Sequence, residues 1–443
     1  MKSITLSEHF TNKKLISFTL PSIAMVIFSS VYFIADVFFV SNFVGKSAFA
    51  AVNLIMPYLM IISSVGFMLG TGGSAVISAL RGMREQEKAN RTFSLVVYTT
   101  IVTGVILTLA GLVALEPVCR LLGAQGELLE NCLVYGQIVI LALPFFMLQQ
   151  EFQSLYVAAE KPSLGFKMSL FSGLVNIVLD ALFIIEFNMG LEGAAIATLI
   201  SEIIAGVFPL WFFARPGRTA LTLGRADLDF KALLKICING SSELFGEISM
   251  SIVAMLYNYQ LMKYAGENGV VAYGVLMYLS FMFMGIFIGF TTGSSPVISY
   301  NFGAENHSEM RSLLSKSIKL ILAVSAAMFA LGEIFKGTLS EIFVGYDPEL
   351  MKLTVQGFSI VSFSFLFSGL AIFSSGFFTA LNNGLISAVI SLLRTMCFEV
   401  LCILTLPLFL GVDGIWYSLV VAEVLSVLVS LIFLKLKQPV YNY

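Results

Sequence analysis

The chain has 443 residues, 58% of them hydrophobic and only 12% charged, with a mean hydropathy of +0.92 and a net charge of −2. A soluble globular protein carries about 25% charged residues and could not hide this much apolar surface from water. The composition therefore excludes a water-soluble enzyme domain, makes lipid the solvent, and gives no general attraction to nucleic acid.

In chain order, the opening stretch Met1 to Ser22 lacks a short apolar core with a small-residue cleavage site, so it reads as a cytoplasmic tail and not as a removed signal peptide. Crossing a bilayer takes roughly 20 apolar residues per helix. Such runs lie near 15–40, 51–80, 92–115, 133–157, 163–186, 192–213, 234–263, 270–300, 314–335, 353–380, 384–408 and 412–434. They are long and unbroken, not alternating, which selects helices over a β-barrel. The expected fold is an all-α polytopic membrane protein of twelve transmembrane helices.

Orientation follows from the basic residues. One set of loops holds 19 of the Lys and Arg residues, among them Lys2, Lys13, Lys14, Arg81, Arg84, Arg215, Arg218 and Lys235. The opposite set holds five: Lys46, Arg120, Lys263, Lys336 and Lys352. Both termini are expected on the cytoplasmic side.

Sliding the chain against itself by 221 positions lays Thr71–Ser78 on Thr292–Ser299, Gly82 on Gly303, Gly45 on Gly266 and Ala51 on Ala272. Farther on, Gly190–Gly193 meets Gly411–Gly414 and Glu202 meets Glu423. Several blocks at one offset mean duplication, hence two six-helix lobes: residues 1–214, a linker at 215–235 leading into the seventh helix, and residues 236–443. Parallel repeats of this kind suit alternating access, with a cavity between lobes that rock.

No phosphate-cradling GxxxxGK[ST] is present. Gly45-Lys46-Ser47 has Val40 where the first glycine belongs, so ATP is not expected as the energy source. Five cysteines (Cys119, Cys132, Cys237, Cys397, Cys402) form no CxxC pair, and His9 and His307 are the only histidines, so neither a disulfide framework nor a Cys/His metal site is expected. No cofactor and no enzymatic constellation is read from the chain.

Ionisable groups at membrane depth ask for a partner or a function. Asp36, Asn176, Asp180 and Thr198 fall in the outer parts of the first, fifth and sixth spans, and Asn176 shares a helix face with Asp180. Four oxygen-bearing side chains suit a hard cation such as Na⁺, for which they would be the ligands, or a proton on a buried carboxyl. The plainer reading is hydrogen bonding between helices. In the second half, Glu243 and Glu247 of the seventh span and Arg394 and Glu399 of the eleventh form either a structural ion pair, with Glu243 or Glu247 facing Arg394, or a substrate contact. Gln149, Gln150, Glu151 and Gln153 make the inner end of the fourth span polar, facing either a cavity or the headgroups.

Leu20-Pro21 with Asp36 fifteen residues on, Thr71–Ser74, Leu143-Pro144, Asn176–Asp180, Gly190–Thr198 and Ser391–Arg394 together resemble the MATE (multidrug and toxic compound extrusion) family over essentially the whole chain. The resemblance implies a secondary multidrug antiporter in the cell (inner or plasma) membrane, exporting organic cations in exchange for Na⁺ or H⁺. It implies cation binding at Asp36, Asn176, Asp180 and Thr198, and bending of the first helix near Pro21. The tenth span, 353–380, has no acid, so the pattern fits the MepA- or DinF-like branches better than those with a C-lobe cation site. A monomer is expected. The alternatives are a flippase for lipid-linked precursors and a non-transporting receptor or scaffold.

Overall fold

The computed structural model describes residues 4–215, 217, 219–345 and 347–443. Lys2 and Arg218 of the basic loops, and part of the 215–235 linker, lie outside the described residues.

Lipid offers the backbone no hydrogen bonds, so each apolar run closes its own ladder as a helix. The first lobe contains α1 (Asn12–Phe39), α2 (Lys46–Gly82), α3 (Gln86–Leu121), α4 (Gly126–Ala158), α5 (Pro162–Asp180) and α6 (Gly190–Phe213). π-helical turns extend α1 through Val40–Val44 and α5 through Ala181–Glu186. The second lobe contains α7 (Phe230–Gly303), α8 (His307–Val344), and α9 (Pro348–Val361), which continues into α10 (Phe365–Ala380). There follow α11 (Gly384–Leu392), a π-helical turn at Leu393–Phe398, α12 (Glu399–Thr405), α13 (Pro407–Leu410) and α14 (Val412–Tyr441).

Eleven helical stretches among the described residues are long and apolar enough to span a bilayer. The longest, α7, has 74 residues and leaves helical geometry at Gly266 (φ 62°, ψ −154°), so it crosses twice and the spans number twelve. The duplication is visible in the backbone itself. Residues with positive φ recur at the 221-residue offset: Gly45 with Gly266, Arg84 with Glu305, and Gly190 (φ 58°) with Gly411 (φ 59°). Each marks the same turn in its own lobe. The linker folds back on α3, where the Gly224 amide donates to Ser94 Oγ at 3.0 Å and Tyr98 Oη donates to the Gly224 carbonyl at 3.0 Å.

The two lobes meet along a seam of glycines. A Cβ added at Gly240 would fall on the Met68 carbonyl oxygen, at Gly72 on that of Ile236, at Gly82 on that of Tyr300, and at Gly303 on that of Ala79. Ser299 Oγ donates to the Ala75 carbonyl across the same seam at 2.5 Å. Small residues permit this backbone-to-backbone approach, which is how helices associate without a hydrophobic drive. Farther from the termini the fit between α1 and α7 stays close as far as Gly289 and loosens beyond it. An added Cβ would meet Thr19 at 3.0 Å from Gly293, Ile23 at 2.5 Å from Gly289 and Val26 at 3.5 Å from Gly285, while at Gly274 nothing lies within 4 Å. The lobes are thus closed on the face that holds both termini and parted beyond it.

A strap of residues 4–11 reinforces that closed face. Leu6 and Phe10 are fully buried, packed into the apolar cluster of α7, α8 and α10. The Leu6 amide donates to Glu160 Oε1 (3.1 Å) in the α4–α5 turn, and Glu160 also accepts from Arg81 Nη2 (2.8 Å). Glu309 of α8 accepts from the Phe10 amide (2.9 Å) and pairs with His9 Nδ1 (2.6 Å), while Lys316 Nζ donates to the Phe10 carbonyl. One short segment therefore ties a loop of the first lobe to a helix of the second. Glu309→Leu removes the acceptor and leaves the Phe10 amide unpaired, at a cost of about 1–3 kcal/mol. Where cleavage follows the population of the released strap, tryptic cutting at Lys13 and Lys14 should accelerate roughly 5- to 150-fold. An unchanged rate in a timed digest of the purified protein would show that the strap is held elsewhere.

Candidate functional site

α1 and α5 bring the two carboxyl groups of the first lobe together. Asp36 lies one turn before the π-helical turn that ends α1, and Asp180 immediately before the one that ends α5. Such turns are frequent at functional sites because they widen the helix and re-aim its side chains. Asp36 is 6% exposed and Asp180 fully buried, and their carboxyl groups lie near each other. Asn176, 3% exposed, stands one turn inward of Asp180 on the same face. Oδ1 of Asp36, both carboxyl oxygens of Asp180 and Nδ2 of Asn176 have no hydrogen-bond partner. Tyr135 of α4, 1% exposed, stands near both carboxyls. Thr198 is half-buried and gives its proton to the Ala194 carbonyl at 3.1 Å, so its oxygen can only accept or coordinate. Two of the four residues singled out from the sequence are thus brought near each other, and a third adjoins Asp180 on one face. α1 runs unbroken through Pro21, where the missing N–H leaves one rung of the ladder open.

The second lobe corrects one expectation. Arg394 pairs with neither Glu243 nor Glu247. Its Nε donates to both oxygens of Glu423 on α14 (3.0 and 3.0 Å) and its Nη2 to Glu423 Oε1 (2.7 Å). α7 and α11 do pack, with Ser391 Oγ donating to the Ser242 carbonyl at 3.1 Å, but Arg394 lies on the π-helical turn that follows and reaches α14 instead. Glu399 stands near this pair. Glu243 is exposed and Glu247 half-buried, and among the described residues neither has an ion-pair partner.

Two groups, Glu202 and Tyr135, were not singled out from the sequence, and Glu151 was read there only as part of a polar helix end facing a cavity or the headgroups. Glu151 of α4 is fully buried with both oxygens unpaired. Glu202 of α6 is 5% exposed with Oε2 unpaired. Tyr135 was missed because an aromatic in an apolar run carries no signal of its own. Glu202 had one: its repeat mate Glu423 is an acid at the same depth.

The family model MatE matches residues 21–182 and again residues 244–404, one match in each lobe. The chain belongs to the MatE family. That family is one of multidrug efflux transporters, so the protein is a multi-pass membrane transporter and not a member of an enzyme family. The chain is 25% identical over 429 residues to Multidrug export protein MepA of Staphylococcus saprophyticus, covering 96% of this chain and 93% of that one. Its fold matches the crystal structure of MATE in complex with MaL6 at a TM-score of 0.94, with 21% identity over 100% of this chain and 99% of the other. An outward-facing MATE family transporter of the MOP superfamily matches at 0.93, with 21% identity and the same coverage.

Proposed function

We propose that this MatE protein is a cation-coupled antiporter that exports lipophilic organic cations by alternating access between lobes of residues 1–214 and 236–443, joined by residues 215–235. One observation carries the reading. The first lobe buries four acids, Asp36, Glu151, Asp180 and Glu202, without a basic partner for any of them among the described residues. The buried acids of the second lobe, Glu309 and Glu423, both have one. Uncompensated carboxylates at membrane depth require a proton, a metal cation or a cationic ligand to neutralise them. Ions and a cationic drug that meet the same need favour different states of the lobe, and differential affinity is what couples two opposite fluxes.

In this reading Asp36, Asn176, Asp180 and Thr198 hold the coupling ion, Na⁺ or H⁺, and Pro21 is where α1 bends as the lobe empties and fills. The basic loops put both termini in the cytoplasm, so the closed face is cytoplasmic and the parted face is external. The relative named as a multidrug export protein supports a drug as the cargo.

The test is efflux of tetraphenylphosphonium from proteoliposomes under Na⁺ and pH gradients imposed separately, for wild type and Asp180→Asn. Gradient-driven efflux should appear in the wild type and fall at least 10-fold in the variant, and the effective gradient names the ion. Efflux that survives the substitution would sink the ion site. No wild-type efflux under either gradient would move the cargo to a lipid.

A further inference from the structure

The duplication allows each buried acid to be compared with its mate 221 positions away. Glu423 is held in a fork by Arg394. Its counterpart Glu202 occupies the matching place on α6, but the position that matches Arg394 is Gly173. No cation can reach Glu202 from there, because a Cβ on Gly173 would already press on Phe28 (2.7 Å) and Tyr32 (3.0 Å) of α1. The aromatic rings of α1 take the volume that the guanidinium fills in the other lobe. Glu202 is left 5% exposed, with Oε2 unpartnered.

Its polar neighbour is Tyr32, one turn inward of Asp36 on α1, which stands near Glu202 and Asp36. One turn farther in from Glu202, beside Ala205, lies a cavity of about 20 Å³, lined among others by Gln149, Gln153, Tyr156 and Ser169. That is room for a single water among polar groups. A metal ion takes several oxygen ligands, and Glu202 with one phenol is too poor a shell. A proton needs only the carboxyl.

We propose that Glu202 is a second exchangeable proton site of the first lobe, with the Gln149 cavity one turn inward of it as the nearest room for water. The titratable group near it is Tyr32 on α1, with Asp36 one turn farther along that helix and Tyr156 of α4 at the cavity, and none of them is basic. Loading converts the carboxylate to a neutral acid.

The proposal rests on the antiport reading for its purpose, but its test reads the carboxyl directly. Infrared difference spectra of the purified protein across a pH step report the C=O stretch of protonated carboxyls. Glu202→Gln should remove one component that wild type and Asp180→Asn both keep, and Glu202→Asp should shift that component without losing it. If Glu202→Gln folds poorly, the Glu202→Asp shift decides the matter alone. A spectrum unaltered by substitution at Glu202 would overturn the proposal whatever the transport assay shows. Conversely, if Asp180→Asn leaves efflux intact but the Glu202 component is present, the antiport site fails and Glu202 stands. In proteoliposomes, tetraphenylphosphonium efflux by Glu202→Gln should depend less steeply on the pH gradient, as loss of one coupled proton requires. An unchanged slope would remove Glu202 from the cycle.

Discussion

Alanine at Gly303 is expected to drive the two lobes apart on the face that carries the termini. The added Cβ would fall on the Ala79 carbonyl oxygen of α2, and the reciprocal glycine, Gly82, faces the Tyr300 carbonyl of α7. Gly82 and Gly303 are repeat mates, so the pair sits at the centre of the seam. Both sides are helical backbone, which cannot swing away as a flexible side chain would. Overpacking of this kind costs about 1–3 kcal/mol. In an alternating-access protein that cost applies only to the state in which the seam is shut. The equilibrium should therefore shift toward the seam-open state by roughly 5- to 150-fold. Spin labels at Lys88 and His307, exposed on opposite sides of the seam, report the change as growth of the longer-distance population. Gly337→Ala on α8, where nothing lies within 4 Å of an added Cβ, controls for the substitution itself. An unaltered distance distribution in Gly303→Ala would mean that the seam yields by local adjustment and does not gate the lobes.

Much of this architecture was legible in the sequence, and the reason is the solvent. In lipid an apolar run of sufficient length has one way to satisfy its backbone, so the twelve spans and their duplication could be read off composition and offset alone. The turn glycines Gly190 and Gly411 confirm the offset in the backbone, with φ of 58° and 59°. The lateral direction of a side chain was not legible. A π-helical turn inserts a residue and rotates everything after it, and Arg394 lies on such a turn. Span-to-span equivalence correctly put α11 beside α7, but the rotation sent the guanidinium to Glu423 and left Glu243 and Glu247 without it. The strap was hidden for a different reason. Met1 to Ser22 is mixed in polarity and reads as a solvated tail, yet Leu6 and Phe10 are buried because Glu160 and Glu309 capture the backbone between them. Single-chain patterning holds no signal for a contact of that range.

The Arg394–Glu423 pair also predicts the largest loss of stability in the molecule. Arg394→Met leaves Glu423, 2% exposed, without the fork that accounts for all of its ion pairing, and places it beside a second acid, Glu399. Breaking a buried pair from one side costs about 3–5 kcal/mol, because a charge stays behind in a medium that cannot solvate it. The reverse cut should be milder. In Glu423→Gln the amide keeps one acceptor for the guanidinium, and Glu399 remains close enough to supply the charge. Replacing both, as Arg394→Met with Glu423→Leu, removes the stranded charge and should recover most of the loss, since an apolar pair of similar volume is often neutral. Thermal unfolding in detergent of the wild type, Arg394→Met, Glu423→Leu and the double variant gives the coupling between the two side chains directly. The same set separates structure from transport. If the pair only fastens α14 to the turn after α11, the double variant should unfold near the wild-type temperature and still export tetraphenylphosphonium. A double variant that is stable but inactive would place Arg394 in the substrate path, and one as unstable as Arg394→Met would show that packing of the fork, not its charge, holds this end of the lobe together.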